Sequence, residues 1–213
     1  MIYDMADTPV YDVVTINGLL TFSDDKDQQF RATNILVRAG ELRLGTKTRP
    51  YIHKAKITLT DPKNSKTIVY DNFIEAGNKV LANVGVVQMY GLPRVATLAR
   101  LTAEAFKGTT SISLDVGLDL VAGDRIALLP TSYVRDAGED AFIQTYDKDT
   151  GIATLKQGLR FHHWGASEST SPKYGVDMRA EVLVLSRNIV IAGNDVESWG
   201  CTIVTSDTAD DGT

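Results

Sequence analysis

Residues 13–46 constrain the fold more than any other part of this chain. They contain four short apolar alternations, each closed by a glycine or by a polar run: VVTI, LLTF, NILV and ELRL. A period of two is typical of strands with one buried face. Glycine at the breaks allows turns that a side chain would strain. The segments are too short for helices, so the pattern predicts stacked strand–turn rungs, each burying its apolar face against a neighbour.

The remaining sequence predicts an all-β fold: parallel β-helix-like stacked rungs that carry an inserted small antiparallel β-barrel or sandwich. We expect a rung block at residues 1–95 and a return to rungs at 176–195. Between them, residues 96–164 hold closely spaced short strands and hairpin-like turns, which are typical of a small barrel or sandwich. The Ser/Gly/Pro-rich segment 165–175 is expected to be an exposed linker. Together these parts form one predicted domain, residues 1–195.

One segment allows two interpretations. Residues 96–107 (ATLARLTAEAFK) have apolar positions that suit one face of a short helix. The same residues also suit an irregular strand followed by a turn.

Composition excludes some classes of function. The net charge is −5 and there is no basic run, which argues against a nucleic-acid partner because phosphate binding needs a basic face. The longest apolar segments are far too short to span a bilayer, so membrane attachment is expected only through parts outside this chain. The N-terminus lacks the basic and apolar regions of a signal peptide. The character of both ends predicts a piece of a longer protein, with a short complete protein as the alternative.

Few residues suggest a metal site or an aromatic binding site. His162 and His163 are adjacent, so on a strand they point to opposite faces and do not readily chelate one ion. Residues 147–151 (DKDTG) weakly resemble a calcium loop, but a hairpin turn fits them better. No cofactor is therefore predicted, and calcium has no support. Trp164 and Trp199 could stack on sugar rings; the alternative is that they cap the core.

Arg187 interrupts an apolar pattern. It occupies an odd-numbered position, like the apolar residues Leu183, Leu185, Ile189 and Ile191. Because alternate residues of a strand share a face, this pattern predicts that Arg187 lies on a buried face. A buried charge needs a partner, and the nearest carboxylates in sequence are those of Asp177, Glu181 and Asp195. The pair is either a structural ion pair or an Arg–carboxylate pair lining a cleft that binds or activates an acidic sugar.

The motifs in order resemble the G8 domain, a glycine-marked all-β module of large extracellular and cell-surface proteins. The resemblance covers nearly the whole chain and rests on these segments: VTINGLLTF, ATNILVRAGELRLGT, AKITLT, VGVVQMYGLPR, GTTSISLD, LVAGDRIALLPTSY, LRFHHWG and AEVLVLSRNIVIAGND. It is strongest to the fibrocystin-like branch, which is similar to the cell-migration-inducing hyaluronan-binding proteins.

The resemblance implies an extracellular or cell-surface location in a larger protein. In these families a right-handed parallel β-helix follows the domain, and residues 196–213 resemble its truncated start. Hyaluronan-depolymerising relatives have an arginine and an aspartate proposed for activity, and the matching positions here are Arg187 and Asp195. Asp207 is the nearest candidate for a further acidic residue.

Two functions follow as hypotheses. The first is a non-catalytic module that acts in adhesion, surface-coat assembly or carbohydrate or matrix binding, with an extracellular glycan or protein as partner. The alternative is the N-terminal part of a hyaluronan-degrading glycosidase, in which Arg187 holds a uronate carboxylate and Asp195 serves in acid–base chemistry. A glycosidase needs two carboxyl groups at a defined separation. The resemblance nominates one of them, so the non-catalytic function is favoured.

Overall fold

A computed structural model describes residues 1–70, 74–165, 177–194 and 199–206. Over these residues the protein is all-β, as predicted; the one helix there is a 3-10 turn at Arg135–Ala137. Among the residues that the structure describes, no helix is long and apolar enough to cross a membrane. The chain divides into two compact units. Unit 1 is Met1–Pro93 with Arg187–Thr213, and unit 2 is Arg94–Ser186.

Unit 1 is built mainly from parallel strands. They are β1 (Ile2–Tyr3), β2 (Tyr11–Ile16), β3 (Leu19–Phe22), β4 (Gln28–Val37), β5 (Glu41–Leu44), β6 (Ala55–Leu59), β7 (Ile68–Tyr70), β8 (Ile74–Gly77), β9 (Val80–Asn83), β10 (Val86–Met89), β17 (Ile189–Gly193) and β18 (Thr202–Thr205). One parallel sheet has the order β1-β3-β5-β10 and another the order β17-β6-β4-β9-β18, with β2 also paired to β4. Strands β7 and β8 form a separate antiparallel pair.

Consecutive strands of unit 1 alternate between these two sheets. Strands β2, β4 and β9 lie in one sheet, and each is followed after a short corner by β3, β5 or β10 in the other. The core between them includes the tilted and edge-on rings of Tyr3, Phe22 and Phe30, whose centroids lie 4.8–5.8 Å apart. Each strand pair therefore buries its apolar face against its neighbours, as the alternation predicts.

Three glycines stack at the corners between the two sheets. A Cβ on Gly40 would lie 2.2 Å from the carbonyl oxygen of Gly18, and a Cβ on Gly85 would lie 2.5 Å from that of Gly40. The stack continues into the sheet, because the Glu41 amide donates to the Gly18 carbonyl at 2.9 Å. None of the three glycines has a positive φ. Close backbone approach between corners, and not the turn conformation expected from sequence, is what requires glycine at positions 40 and 85.

Unit 2 is an antiparallel sheet that curls around its own core. Its strands are β11 (Leu98–Arg100), β12 (Ser111–Ser113), β13 (Arg125–Leu128), β14 (Glu139–Tyr146), β15 (Ile152–Leu155) and β16 (Glu181–Val184). They pair in the order β11-β16-β13-β14-β15-β12. A bridge between Leu101 and Leu114, next to the two edge strands, brings the edges of the sheet together. Buried aliphatic side chains such as Ile126, Leu128 and Ile143 fill the interior.

The helix considered for residues 96–107 is wrong. The chain there forms β11 and then two isolated bridges, at Leu101 and Ala105. Ala99, Leu101 and Ala105 are all buried. Pairing within the sheet of unit 2 outweighs the weak helical pattern, and the irregular-strand alternative describes the segment.

The prediction that Arg187 lies on a buried face is also wrong. Residues 181–193 form two strands in different units, β16 and β17. The buried side chains of β16 are Val182 and Val184. The even-numbered residues of this strand therefore face the core, whereas the sequence pattern predicts that the odd-numbered ones do. The strand ends at Val184, and the parity does not carry through to Arg187, which is exposed.

Candidate functional site

The outward face of the sheet formed by β4, β6 and β17 carries the best-defined candidate site. Gln29, Lys56 and Val190 lie opposite one another on these three strands. The neighbours of Gln29 and Lys56 along their strands, such as Gln28 and Ala55, are buried, and those of Val190 are partly buried. Because side chains alternate between the faces of a strand, the row Gln29–Lys56–Val190 points away from the core.

A groove of about 620 Å³ lies over this row. Its lining residues belong to unit 1 and include four cations and two carboxylates: Arg31, Lys54, Lys56, Arg187, Asp7 and Asp27. The lysines and Arg187 are exposed, and Arg31 is half-buried. The groove therefore has a basic lining on a chain whose net charge is −5, and such a lining attracts anions.

Both carboxylates of the groove have partners. The guanidinium of Arg31 lies 3.0 Å from a carboxylate oxygen of Asp7. Asp27 accepts a hydrogen bond from the backbone N–H of Lys54 at 2.9 Å. Both carboxylates are therefore engaged in contacts within unit 1, and the lining has more positive than negative groups.

Asn188 fixes the position of its neighbour Arg187. Its amide nitrogen donates to the carbonyl oxygens of Tyr51 and His53, at 2.6 and 2.8 Å. Its amide oxygen accepts the N–H of Leu92 at 2.8 Å. A side-chain amide is suited to this site, because it can donate twice while also accepting. Arg187 is thus held at the start of β17 by a residue that is bonded to two other segments of unit 1.

We expect the Asn188→Asp variant to lower the free energy of unfolding of unit 1 by about 1–3 kcal/mol, because the new carboxylate faces two carbonyl oxygens without a proton to donate. Hydrogen exchange of the β6 and β17 amides measures the change. Asn17→Asp is the matched control, since Asn17 is exposed. Equal protection in the two variants would contradict this role for Asn188.

The other predicted partners of Arg187 lie elsewhere. Asp177 and Glu181 belong to unit 2, where they pair with Arg179 and Arg100, at 2.8 Å in each case. Hydrogen bonds from the Arg179 guanidinium lower the pKa of Asp177 to about 2. Asp195 lies outside the described residues, as does Asp207. The predicted catalytic pair Arg187–Asp195 therefore stays a prediction.

The two tryptophans lie in different units and do not line the groove. The backbone of Trp164 is fixed by the Thr131 hydroxyl, which accepts its N–H at 2.9 Å. The ring of Trp199 has the ammonium of Lys63 over one face, 5.2 Å from its centroid, and buried Lys79 donates to the Trp199 carbonyl. Both side chains are partly exposed, so sugar stacking at either position stays a prediction.

His163 is buried in unit 2 and bonds locally, which is the interpretation that its sequence context favours. One ring nitrogen lies 3.1 Å from the Leu129 carbonyl oxygen, and the other lies 3.0 Å from the carboxylate of buried Glu139. The same carboxylate accepts the backbone N–H groups of Arg160 and Phe161, at 2.7 and 2.9 Å. This cluster orders the chain between β15 and residue 163.

Residues 147–151 form a hairpin turn, as favoured from sequence. The Asp147 carbonyl accepts the Gly151 amide, and Gly151 has φ 72°. Across residues 1–70, 74–165, 177–194 and 199–206, no group of three or more His, Cys, Asp or Glu side chains is placed to hold a metal ion.

Sequence reasoning missed most of the groove. Lys54 and Lys56, like Gln29 and Arg31, occupy alternate positions next to buried neighbours. That spacing marks outward positions of strands, and it is visible in KAKITL and QFRAT. The sequence does not show that β4 and β6 are adjacent, which is what brings the two pairs together.

Comparison with known proteins shows which proteins this chain resembles. Residues 1–102 match the family model of the G8 domain, which confirms the resemblance found in the motifs. The chain is 32% identical to human fibrocystin-L over 197 residues, which is 90% of this chain and 4% of that protein. It is 30% identical to dog fibrocystin over 181 residues, or 83% of this chain and 4% of that protein. A Dictyostelium discoideum protein is 29% identical over 198 residues, covering 87% of this chain and 18% of that protein.

The chain thus spans a small part of the relatives it matches. The G8 match covers β1 to β11 and ends before most of unit 2. The longer span expected from sequence, residues 1–195, stays a prediction.

Proposed function

We propose that this chain is a non-catalytic binding module of a cell-surface or extracellular protein, and that its groove binds an acidic glycan of the matrix or surface coat. The observation that carries this proposal is the set of four cations that line one groove. Similarity to fibrocystin-like proteins supports it. In the same proposal, the stacked rungs of unit 1 are the first coils of a parallel β-helix.

The chemistry of the groove suits carboxylate or sulfate groups. Arg187 and Arg31 present planar guanidinium groups that can bind an oxyanion through two hydrogen bonds. Lys54 and Lys56 add point charges on flexible side chains between them. An exposed sheet face is also open enough to accept a polymer, which an enclosed pocket would exclude.

Binding is favoured over hydrolysis at this site. A glycosidase needs one carboxyl group as acid and a second as base or nucleophile, on either side of the scissile bond. Asp7 is paired with Arg31, and Asp27 accepts a backbone N–H. Asp195, the carboxylate that the glycosidase alternative nominates, lies outside the described residues.

Arg187→Gln tests the proposed function. We expect this variant to bind fluorescently labelled acidic polysaccharides about tenfold more weakly, a loss of ~1.4 kcal/mol, because one bidentate contact is removed. Arg135→Gln is the control, since it removes one exposed arginine outside the groove. Circular dichroism establishes that both variants fold.

Two results would contradict the proposal. One is equal affinity of the two variants and the unchanged chain for every acidic polysaccharide tested. The other is shortening of hyaluronan during incubation, measured by its size distribution, with loss of the shortening in Arg187→Gln; that result would support the glycosidase alternative.

A further inference from the structure

We infer that the groove selects densely sulfated glycans over hyaluronan. This inference rests on the proposed function and concerns the spacing of the four cations. It follows from the register of β4, β6 and β17 and from the charges along that face.

The cations form a continuous diagonal row across three strands. Arg31 on β4 lies opposite Thr58, two residues beyond Lys56 on β6. Lys54 precedes Lys56 by two residues on the same face. The pairing of Ala55 with Ile189 puts Arg187, two residues before β17 begins, at the level of His53. Arg187 shares the alternation of Ile189 and Ile191, which pack against the core, but it lines the groove. The order along the row is therefore Arg31, Lys56, Lys54 and Arg187.

Sheet geometry gives the spacing of this row. With ~4.8 Å between strands and ~3.3 Å per residue along them, successive Cα atoms of the row are about 6–8 Å apart. The whole row spans roughly 20 Å by the same measure. The lysine and arginine side chains are long enough to adjust their charged ends by several ångströms, so the row presents a nearly regular series of positive groups.

Such a row fits a polymer that carries an acidic group on every sugar. Hyaluronan has one carboxylate per disaccharide, so along the row it presents fewer anionic groups than a chain with an acidic group on every sugar. A heparin-type chain carries carboxylate and sulfate groups on successive sugars and can meet all four. Because each contact releases a counterion, the denser ligand should also bind with a steeper salt dependence.

Local charges are consistent with a ligand of high charge density. Lys54 and Lys56 have no salt bridge to any carboxylate of the described residues. Asp7 shields Arg31 at one end of the row. A sulfated chain must compete with Asp7 for this arginine, so Asp7→Asn should bind such a chain more tightly than the unchanged protein does.

Three probes of equal length test the inference: a heparin oligosaccharide, the same oligosaccharide after chemical desulfation, and a hyaluronan oligosaccharide. Titrations are run from low to physiological salt. We expect the heparin probe to bind at least about tenfold more tightly than hyaluronan. In Lys56→Gln the slope of log K against log salt for heparin should fall by about one. Lys107→Gln, which removes an exposed lysine of unit 2, should leave the slope unchanged.

The possible failures are distinguishable. Equal affinity for heparin and hyaluronan, with both weakened in Arg187→Gln, would overturn the selectivity and leave the proposed function intact. Equal salt slopes in Lys56→Gln and Lys107→Gln would overturn the role of the row. Binding of none of the three probes would overturn both, and so would binding only to vesicles of anionic phospholipid.

Discussion

Gly40→Ala should destabilise unit 1 by at least ~3 kcal/mol, which is at the upper end of the cost of overpacking. The new Cβ would lie 2.2 Å from the Gly18 carbonyl oxygen and 2.5 Å from the Gly18 nitrogen. Both atoms belong to the backbone of the adjacent corner, so no side-chain rotation can relieve the contact. Either β3 and β5 separate or the corner deforms, and both outcomes break the parallel pairing of these strands.

Gly18→Ala is the matched control, because a Cβ there meets no heavy atom within 4 Å. It should change the stability by no more than ~0.5 kcal/mol, as exposed substitutions usually do. Amide hydrogen exchange of β3, β4 and β5 measures the effect within unit 1, which matters because a chain with two units need not unfold in one step. Similar loss of protection in both variants would refute the stacking explanation.

Glu139→Gln should destabilise unit 2 by about 1–3 kcal/mol, the usual cost of leaving a buried hydrogen-bond donor without its acceptor. The Glu139 and His163 side chains are 3% and 0% exposed. The Glu139 carboxylate accepts the backbone N–H groups of Arg160 and Phe161 and lies 3.0 Å from one ring nitrogen of His163. In the variant one carboxylate oxygen becomes an amide nitrogen, which cannot accept, so at least one of the buried donors is left without its acceptor.

The same substitution should remove a pH dependence. Burial opposes ionisation of Glu139, but backbone N–H donors from Arg160 and Phe161 and the His163 ring outweigh it and lower the pKa of this carboxyl group. Because the folded-state pKa is lower than the ordinary value, the stabilisation is complete above the ordinary value. It is lost as the pH falls through the lowered pKa. Unit 2 of the unchanged protein should therefore lose stability in acid more steeply than unit 2 of Glu139→Gln.

Asp140→Asn is the control for this effect. It changes the neighbouring residue on the other face of β14, where Asp140 pairs with Arg125 and both side chains are about half exposed. An exposed pair contributes at most ~1 kcal/mol. Hydrogen exchange of β13 and β14 amides from acid to neutral pH measures both variants. An acid response that survives in Glu139→Gln would show that another group causes it.

The strands of unit 1 were predictable from sequence because their signal is local. Alternation within LLTF or ELRL identifies a strand and its buried face without knowledge of its neighbours. The stacking of Gly18 and Gly40 is different, because it depends on which corner lies over which. No local pattern encodes that relation. The sequence shows glycine at these positions, but the close approach of the two corners that requires it at position 40 is visible only in the structure.

The site was less predictable for the same reason. The sequence draws attention to Arg187 because a charged residue stands where the alternation predicts an apolar one. In the structure, even-numbered residues of β16 and odd-numbered residues of β17 face the core, and the two strands belong to different units. Arg187 nevertheless lines the groove, together with cations that lie more than 130 residues away in sequence. Parallel pairing of β6 with β17 creates that proximity, and single-sequence periodicity carries no information about it.

The hydrogen bond between the Leu92 amide and the Asn188 side chain determines how unit 1 responds to changes in the segment between these two residues. It joins the point where the chain leaves unit 1 to the point where it returns. Because those two points are joined, the residues between them are, for unit 1, a loop whose ends are held together. Doubling a loop costs only ~0.6 kcal/mol of closure entropy. Changing the length of the intervening segment should therefore cost unit 1 little stability and leave Arg187 in place at the groove.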